Sequence, residues 1–370
     1  MTESHFLKKY NWIWYLTDDR NKQFISELSN ESYVSLELIK KNPVRSVWKY
    51  KQTYIKFNHP GSIIDEIRFL IKPKAKSEFK SLEELVRRGI RAVIPIAWAR
   101  YKSKSLLLTK ELEGFENSRD YWFKKACNDP DKKSKFLLSL AMFVNELSKK
   151  NLVHKDFHPG NILFNSNSSD FALVDAYKLS FSAKINRNSL FELLRIIAAF
   201  KGEITDKEAV EFLLNTGLLN SYQEAVLLWT KILLADLPEL KEKWQQVKSS
   251  IFRDGKYCSS HMGGRLLIKK NLLKESLATP DELMSSKCFF IDKKAYSEAI
   301  QDWEDSFLLD IFRMPSDGLV GVFFPENKID KVSLFYRKEK EKFNLPIEDI
   351  VKRASIFRIP KRLVHKLIST

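Results

Sequence analysis

Apolar and polar positions alternate in short runs near the start of the chain, over residues 33–39, 47–50 and 54–57, with the polar turns Lys41-Asn42-Pro43 and Lys51-Gln52 between them. A period of two puts every second side chain on one face of a strand, so the pattern predicts two hairpins. Over 76–88 the spacing changes: Phe79, Leu82, Leu85 and Val86 recur at three- and four-residue intervals, and Gly89 follows. That predicts one amphipathic helix with a glycine in the stop position. Residues 93–99 and 106–109 return to strand character, which completes a compact region of five strands and one helix. Trp12, Trp14 and Tyr15 ahead of it are expected to pack on this region rather than enter a membrane.

Beyond residue 120 the period is helical. Over 136–149, Leu137, Leu140, Ala141, Val144 and Leu147 share one face. A polar loop over 153–164 follows, then an apolar strand, Phe171-Ala172-Leu173-Val174, that ends in Asp175. Helices dominate to about residue 250. The apolar stretches 190–200 and 225–237 carry Glu192, Arg195, Lys231 and Asp236 inside them, so they read as buried helices and not as spans. The last 120 residues mix short helical and strand-like runs, with a faint echo between Ser250-Ile251-Phe252-Arg253 and Ser355-Ile356-Phe357-Arg358.

Composition narrows the class of partner. Lys+Arg 63 against Asp+Glu 47 leaves +16, a surplus that repels cationic substrates and attracts phosphates or an anionic bilayer. Residues 40–110 alone hold eighteen Lys+Arg and five Asp+Glu, and residues 328–370 hold twelve and five. A helix such as 350–358 in that basic tail is a candidate for lying on an anionic leaflet, and the alternative is that such charges only keep a surface soluble. No interleaved aromatic and basic recognition motif accompanies the charge, so nucleic acid is not an expected partner. Cys127, Cys258 and Cys288 are scattered without metal or disulfide spacing, which fits a reducing cytoplasm. No leader-like apolar region precedes the first strand, and no apolar run is long enough to span a bilayer.

The chemistry-bearing pattern is His154-x-Asp156, Asn161 five residues further on, and Asp175 at the end of the next strand. Phosphoryl transfer needs a base beside the attacking hydroxyl and hard oxygen ligands for a metal on the β- and γ-phosphates. Asp156 suits the base, and Asn161 and Asp175 suit Mg²⁺. The bland reading is a polar hairpin turn with incidental acids, which order, spacing and apolar flanks disfavour. His158 reads as a structural hydrogen-bonding residue. Lys155 is either a cation beside a forming trianion or an exposed loop lysine.

The form His154-Lys155-Asp156-Phe157-His158-Pro159-Gly160-Asn161 resembles the protein-kinase-like superfamily, and its small-molecule and sugar kinase branches more than protein kinases. Tyr54-Ile55-Lys56-Phe57 is similar to the superfamily's phosphate-binding lysine strand, and Lys76-Ser77-Glu78-Phe79 to the start of the following helix. The run through Arg88-Gly89-Ile90 and Pro95-Ile96-Ala97, with a long segment between lysine strand and helix, resembles the lipopolysaccharide core kinases that phosphorylate heptose or Kdo. Leu106-Leu107-Leu108-Thr109-Lys110-Glu111-Leu112-Glu113-Gly114 is similar to that family's hinge, and residues 187–195 to the helix after its metal-binding strand.

The resemblance implies an α+β, bilobal protein-kinase-like fold: a β-rich nucleotide-binding lobe over 1–112, a helical lobe with the catalytic loop over 113–250, and an extension over 251–370. It implies ATP and Mg²⁺, a Lys56–Glu78 ion pair on the nucleotide phosphates, and a nucleotide edge at Lys110, Glu111 and Leu112. Asp65 or Glu66 could pair with Lys56 instead if the intervening segment folds differently. The implied acceptor is a sugar hydroxyl of an anionic glycolipid, met on the cytoplasmic side with peripheral contact to an anionic membrane. Other acceptors, small alcohols or protein hydroxyls, and a pseudokinase scaffold are the alternatives. Two departures stand out: Asp175 is followed by Ala176-Tyr177, and Lys41-Asn42-Pro43-Val44-Arg45-Ser46 replaces a glycine-rich loop, so side chains must meet the phosphates.

Overall fold

The computed structural model describes residues 5–9, 11–30, 36–182, 184–269, 289–312, 319–326, 331–337, 346–360 and 362–364. The chain forms two compact units, Met1–Ala199 with Asn215–Leu218, and Phe200–Leu214 with Leu219–Thr370.

The first unit begins with strands β1 (His5–Lys9), β2 (Trp12–Leu16), β3 (Glu37–Asn42), β4 (Arg45–Tyr50), β5 (Thr53–Asn58), β6 (Ile94–Tyr101) and β7 (Lys104–Lys110). They make one antiparallel sheet in the order β1-β2-β6-β7-β5-β4-β3. Helices α1 (Asn21–Asn30), α2 (Ile63–Ile71) and α3 (Lys74–Arg87) interrupt it. Sequence reading expects five strands and one helix here. The β1–β2 hairpin is one addition, and its alternation is what buries Trp14 and Leu16 with Ile25, Tyr50, Ile55, Ala97, Ala99 and Leu108. Tyr15 stacks on Trp98 with centroids 4.2 Å apart, so the aromatic cluster packs on the lobe as expected. Residues 33–35 of the first expected strand lie outside the described residues.

Helix α3 buries Phe79, Leu82 and Leu85, while Val86 leaves the stripe at 49% exposure. Gly89 closes it with φ of 65°, a left-handed conformation that glycine adopts without a Cβ penalty. Glu78 shares the buried face, which is how a carboxylate comes to point at the sheet.

The rest of this unit runs β8 (Glu116–Asn117), α4 (Ser118–Tyr121), α5 (Pro130–Lys149), β9 (Leu152–His154), β10 (Ile162–Asn165), β11 (Asp170–Leu173), β12 (Leu179–Phe181) and α6 (Arg187–Leu194). Helix α5 starts ahead of the expected 136 because Asp129 accepts a hydrogen bond from the Lys132 N–H at 3.1 Å and Pro130 fills the first turn. Its apolar face, with Phe136, Leu140 and Val144 all 0% exposed, carries the loop that follows. Strand β11 pairs with β10 and is tied to the small lobe: Val93 N–H donates to Leu173 O at 2.9 Å, and Leu173 N–H to Arg91 O at 3.0 Å.

The second unit has helices α7 (Asp206–Asn215) and α8 (Tyr222–Lys248), then an antiparallel sheet of β13 (Cys258–His261), β14 (Leu266–Lys269), β15 (Phe289–Lys294), β16 (Leu319–Phe323) and β17 (Val332–Arg337) in the order β13-β14-β16-β17-β15. Helix α9 (Tyr296–Phe312) precedes β16, and α10 (Ile347–Phe357) follows β17. The expectation that residues 350–358 offer an apolar face to a membrane is not met. Ile350, Ala354 and Phe357 are 6, 1 and 2% exposed, and Arg353 is 0% exposed, so that face belongs to the unit's own core. The echoed tetrapeptides have no common structure, one lying in turns after α8 and the other ending α10. Among the described residues no helix is long and apolar enough to cross a membrane.

Candidate active site

Strand β5 holds Lys56 at its buried inner face, 6% exposed. Its Nζ donates to Glu78 Oε1 at 2.5 Å and to Val174 O at 2.8 Å. Lys56 therefore pairs with Glu78 and not with Asp65 or Glu66, because the intervening segment folds as α2 and carries those acids elsewhere. Glu78 Oε2 is buried without a hydrogen bond, with Arg45 Nη2 at 3.5 Å.

Arg45 is the residue that sequence reading missed. The β3–β4 turn contains no glycine; Asn42 Oδ1 closes it by accepting from Val44 N–H at 3.0 Å and Arg45 N–H at 2.7 Å. Those amides are thereby committed to the turn. What the turn offers the cavity is the Arg45 side chain, whose Nη1 donates to Asp175 Oδ2 at 2.9 Å and whose Nε donates to Asn58 Oδ1 at 3.0 Å. Its position in a loop that nucleotide folds fill with glycine was the signal that could have found it.

The catalytic-loop pattern is built around a buried imidazole. His154, 2% exposed, accepts from Asp156 N–H on Nδ1 at 3.2 Å, which makes Nε2 the protonated nitrogen that donates to Asp175 O at 2.9 Å. One ring thus spaces Asp156 from Asp175. Burial pushes its pKa down, keeping it neutral. Asn161 donates through Nδ2 to Asp156 O at 2.9 Å, which leaves Oδ1 as its acceptor. His158 accepts from Gly160 N–H at 3.0 Å and caps the short turn before Asn161, a structural task. A Cβ on Gly160 would come within 2.9 Å of the His158 ring, so glycine is needed for that close approach. Lys155 is exposed, and the Asp156 carboxylate, 46% exposed, has Lys178 Nζ at 3.2 Å.

A cavity of about 340 Å³ lies where these parts meet, lined by Lys56, Arg45, Asn161 and Asp175 on its polar side and by Ile39, Val47 and Leu163 on its apolar side. Glu111 and Leu112 line it too, whereas Lys110 is exposed and lines an adjoining depression. Glu111 is held by Lys49 Nζ at 2.6 Å. Burial alone would raise the Asp175 pKa, but the charges of Lys56 and Arg45 and the Arg45 hydrogen bond reverse this and hold it far below the carboxylate range. Arg45 also keeps its charge, because Glu78 and Asp175 outweigh the burial that would lower its pKa. Asn161 Oδ1 and the Asp175 carboxylate give the cavity two hard oxygens, a set that fits a divalent cation held mainly by phosphates and water. Among the described residues no group of three or more His, Cys, Asp or Glu forms a metal centre of its own.

Fold and cavity together are those of a protein-kinase-like, ATP-dependent phosphotransferase. Residues 42–214 match the lipopolysaccharide kinase (Kdo/WaaP) family. Among solved structures the chain is similar to WaaP in complex with acyl carrier protein, at 14% identity over 62% of this chain and 98% of that one, with a TM-score of 0.42. It is also similar to a type VIII aminoglycoside-3'-phosphotransferase, at 11% identity over 57% and 97% with a TM-score of 0.39. A third is the Mycobacterium tuberculosis PknI kinase domain, at 10% identity over 55% and 98% with a TM-score of 0.31. No curated protein matches the chain.

Proposed function

We propose that the protein transfers the γ-phosphoryl group of ATP to a sugar hydroxyl of lipopolysaccharide core, heptose or Kdo, with Mg²⁺ as the metal. The observation that carries the reading is the convergence of Lys56, Arg45, Asn161 and Asp175 on one cavity. The match of residues 42–214 to the lipopolysaccharide kinase family supplies the acceptor class.

In this reading Lys56, fixed by Glu78, and Arg45 neutralise the nucleotide phosphates, the arginine doing by side chain what a glycine-rich loop does by backbone amides. Arg45 then exchanges the Asp175 carboxylate for a phosphate oxygen. Asn161 and Asp175 would hold Mg²⁺, which supplies charge neutralisation at the β- and γ-oxygens when bound. Glu111 and Leu112 form the nucleotide's edge. The acceptor oxygen bonds to the γ-phosphorus, its proton passes to the Asp156 carboxylate, and the bond to the bridging oxygen breaks to release ADP. Lys178 positions Asp156. The surplus of +16 suits an anionic acceptor, and ATP supply sets the reaction on the cytoplasmic side.

The test is ATP turnover by purified protein with Mg²⁺, with and without dephosphorylated lipopolysaccharide core, alongside Asp156→Ala. Turnover that depends on the core and is lost in the variant supports the reading. ATP binding without transfer to any hydroxyl acceptor sinks it in favour of a nucleotide-binding scaffold.

A further inference from the structure

Helix α2 carries its apolar residues on the outside. Ile63, Ile64, Ile67, Leu70 and Ile71 recur at intervals that align them along one face. They are 79, 72, 57, 50 and 81% exposed. The opposite side holds the helix to the lobe through Phe69, 4% exposed. Ser62 caps it by accepting from Asp65 N–H at 3.2 Å, and Glu66 accepts from Ser103 Oγ at 3.3 Å. A contiguous aliphatic stripe of this kind marks an interaction site rather than scattered surface hydrophobics.

The stripe's shape and charge select its partner. Its end residues stand almost fully in solvent, so it is a convex ridge without a groove to seat a protein helix. The fluid boundary between headgroups and acyl chains accepts such a shape. Arg68 in the helix and Lys72 at its C-terminal cap are exposed, and the Ser103 bond brings the turn with exposed Lys102 and Lys104 alongside. The two acids of the helix are engaged, Glu66 by Ser103 and Asp65 by Arg68 at 3.9 Å. Long basic side chains at the rim of an apolar stripe lay their stems along it and reach lipid phosphates.

We propose that α2 is a membrane-docking helix that lies in the interface of an anionic lipid leaflet. Ile63, Ile64, Ile67, Leu70 and Ile71 enter the acyl boundary, and Arg68, Lys72, Lys102 and Lys104 meet the headgroups. The purpose of docking rests on the glycolipid-kinase reading: α2 joins the Lys56 strand to the Glu78 helix, so docking holds the cleft beside an acceptor that is itself anchored in lipid.

The experiment is cosedimentation of the full chain with vesicles of phosphatidylethanolamine and phosphatidylglycerol, and with pure phosphatidylcholine vesicles. The variants are Ile64→Gln/Ile67→Gln/Ile71→Gln and Arg68→Gln/Lys72→Gln. Wild type should bind the anionic vesicles at least tenfold more tightly than the neutral ones. The triple variant should lose at least tenfold in vesicle affinity, and the charge variant should lose less and respond less to salt. ATP affinity and the thermal unfolding midpoint should not move in either variant, which separates lost docking from lost folding.

Failure of wild type to sediment, or equal sedimentation of the triple variant, overturns the proposal. A dimer in solution that the triple variant abolishes, without vesicle binding, assigns the ridge to a second copy and overturns it as well. Capture by a soluble acidic protein in place of vesicles does the same. Core-dependent turnover without vesicle binding would leave the kinase reading standing and remove only the docking helix. Vesicle binding without turnover would do the reverse.

Discussion

In the first unit Lys56, Arg45 and Asp175 line a cavity, the first two paired with the buried Glu78, whereas in the second Asp206, Lys352, Arg353 and Trp229 close on one another. Asp206 Oδ1 accepts from Trp229 Nε1 at 2.8 Å and Arg353 Nε at 3.0 Å, and Oδ2 from Lys352 Nζ at 2.8 Å. Arg353 spends its remaining nitrogens on the Lys201 and Ile204 carbonyls. Both carboxylates, Asp175 and Asp206, are held below the ordinary range by cationic partners that outweigh burial. A shifted pKa therefore does not separate a site from a strut. Spare capacity does: in the first cluster Glu78 Oε2 and Asn58 Nδ2 are buried without hydrogen bonds, and Asp175 has a partner it can exchange.

If that distinction holds, the two clusters fail in different ways. The largest effect is expected at Asp156, which does not line the cavity but is bonded through its carbonyl to the cavity residue Asn161: Asp156→Ala should lower turnover by about 10² to 10⁴ with the unfolding midpoint unchanged. Steady-state kinetics beside a thermal melt reads both. Arg353→Leu should act oppositely, leaving Asp206 buried without its guanidinium and costing about 3–5 kcal/mol of stability. Denaturant titration measures that loss, and ATP affinity per folded molecule should stay the same. A turnover loss in Arg353→Leu without destabilisation would break the comparison.

How much of this the chain declares in advance differs between the clusters for a physical reason. Asp156, Asn161 and Asp175 sit within one loop and the strand that follows, so local spacing specifies their geometry. The Lys56–Glu78 pair was implied by the resemblance to a lysine strand and the helix after it, and Asp65 and Glu66 stayed in competition until α2 was seen to carry them away. Arg45 was hidden because an arginine in a polar turn, one of 63 Lys+Arg, looks like surface. Periodicity reports that apolar residues share a face and not which way that face points, which is why the helix over 350–358 was a membrane candidate although its apolar face is buried; α2, whose stripe faces solvent, was not read from the sequence at all. The sheet of the second unit pairs β14 with β16 and β15 with β17, across long intervals that leave no local signature.

Arg45→Ala sharpens the comparison at the next scale down. Losing a charge-assisted contact to phosphate should weaken ATP binding by about 1.5–3 kcal/mol, readable by calorimetry. Lys at the same position should recover only part of this, because a single ammonium cannot reproduce the fork that now spans Asn58 and Asp175. Unchanged ATP affinity in Arg45→Ala would mean that this arginine is as structural as Arg353.

The smallest effect concerns pH, and the second cluster supplies it. Burial raises the Asp206 pKa, but the Lys352 hydrogen bond and the Arg353 charge bring it below the ordinary value. A carboxylate depressed in the folded state stabilises above its unfolded pKa of about 3.9 and loses that contribution as pH falls through the folded value. Asp349 runs the other way: burial, and then the charge of Asp206, raise its pKa although it accepts from Asp206 N–H at 2.7 Å. Its ionisation costs stability at neutral pH, and the cost fades as pH falls through the raised value. Asp349→Asn keeps an oxygen for that N–H and removes the charge. It should therefore stabilise the protein at pH 7 by no more than about 0.5 kcal/mol, with the difference shrinking toward pH 4. Chemical denaturation across that range decides it. A difference that grows on acidification would mean that the second cluster is not electrostatically closed, and that the contrast with the cavity is one of degree.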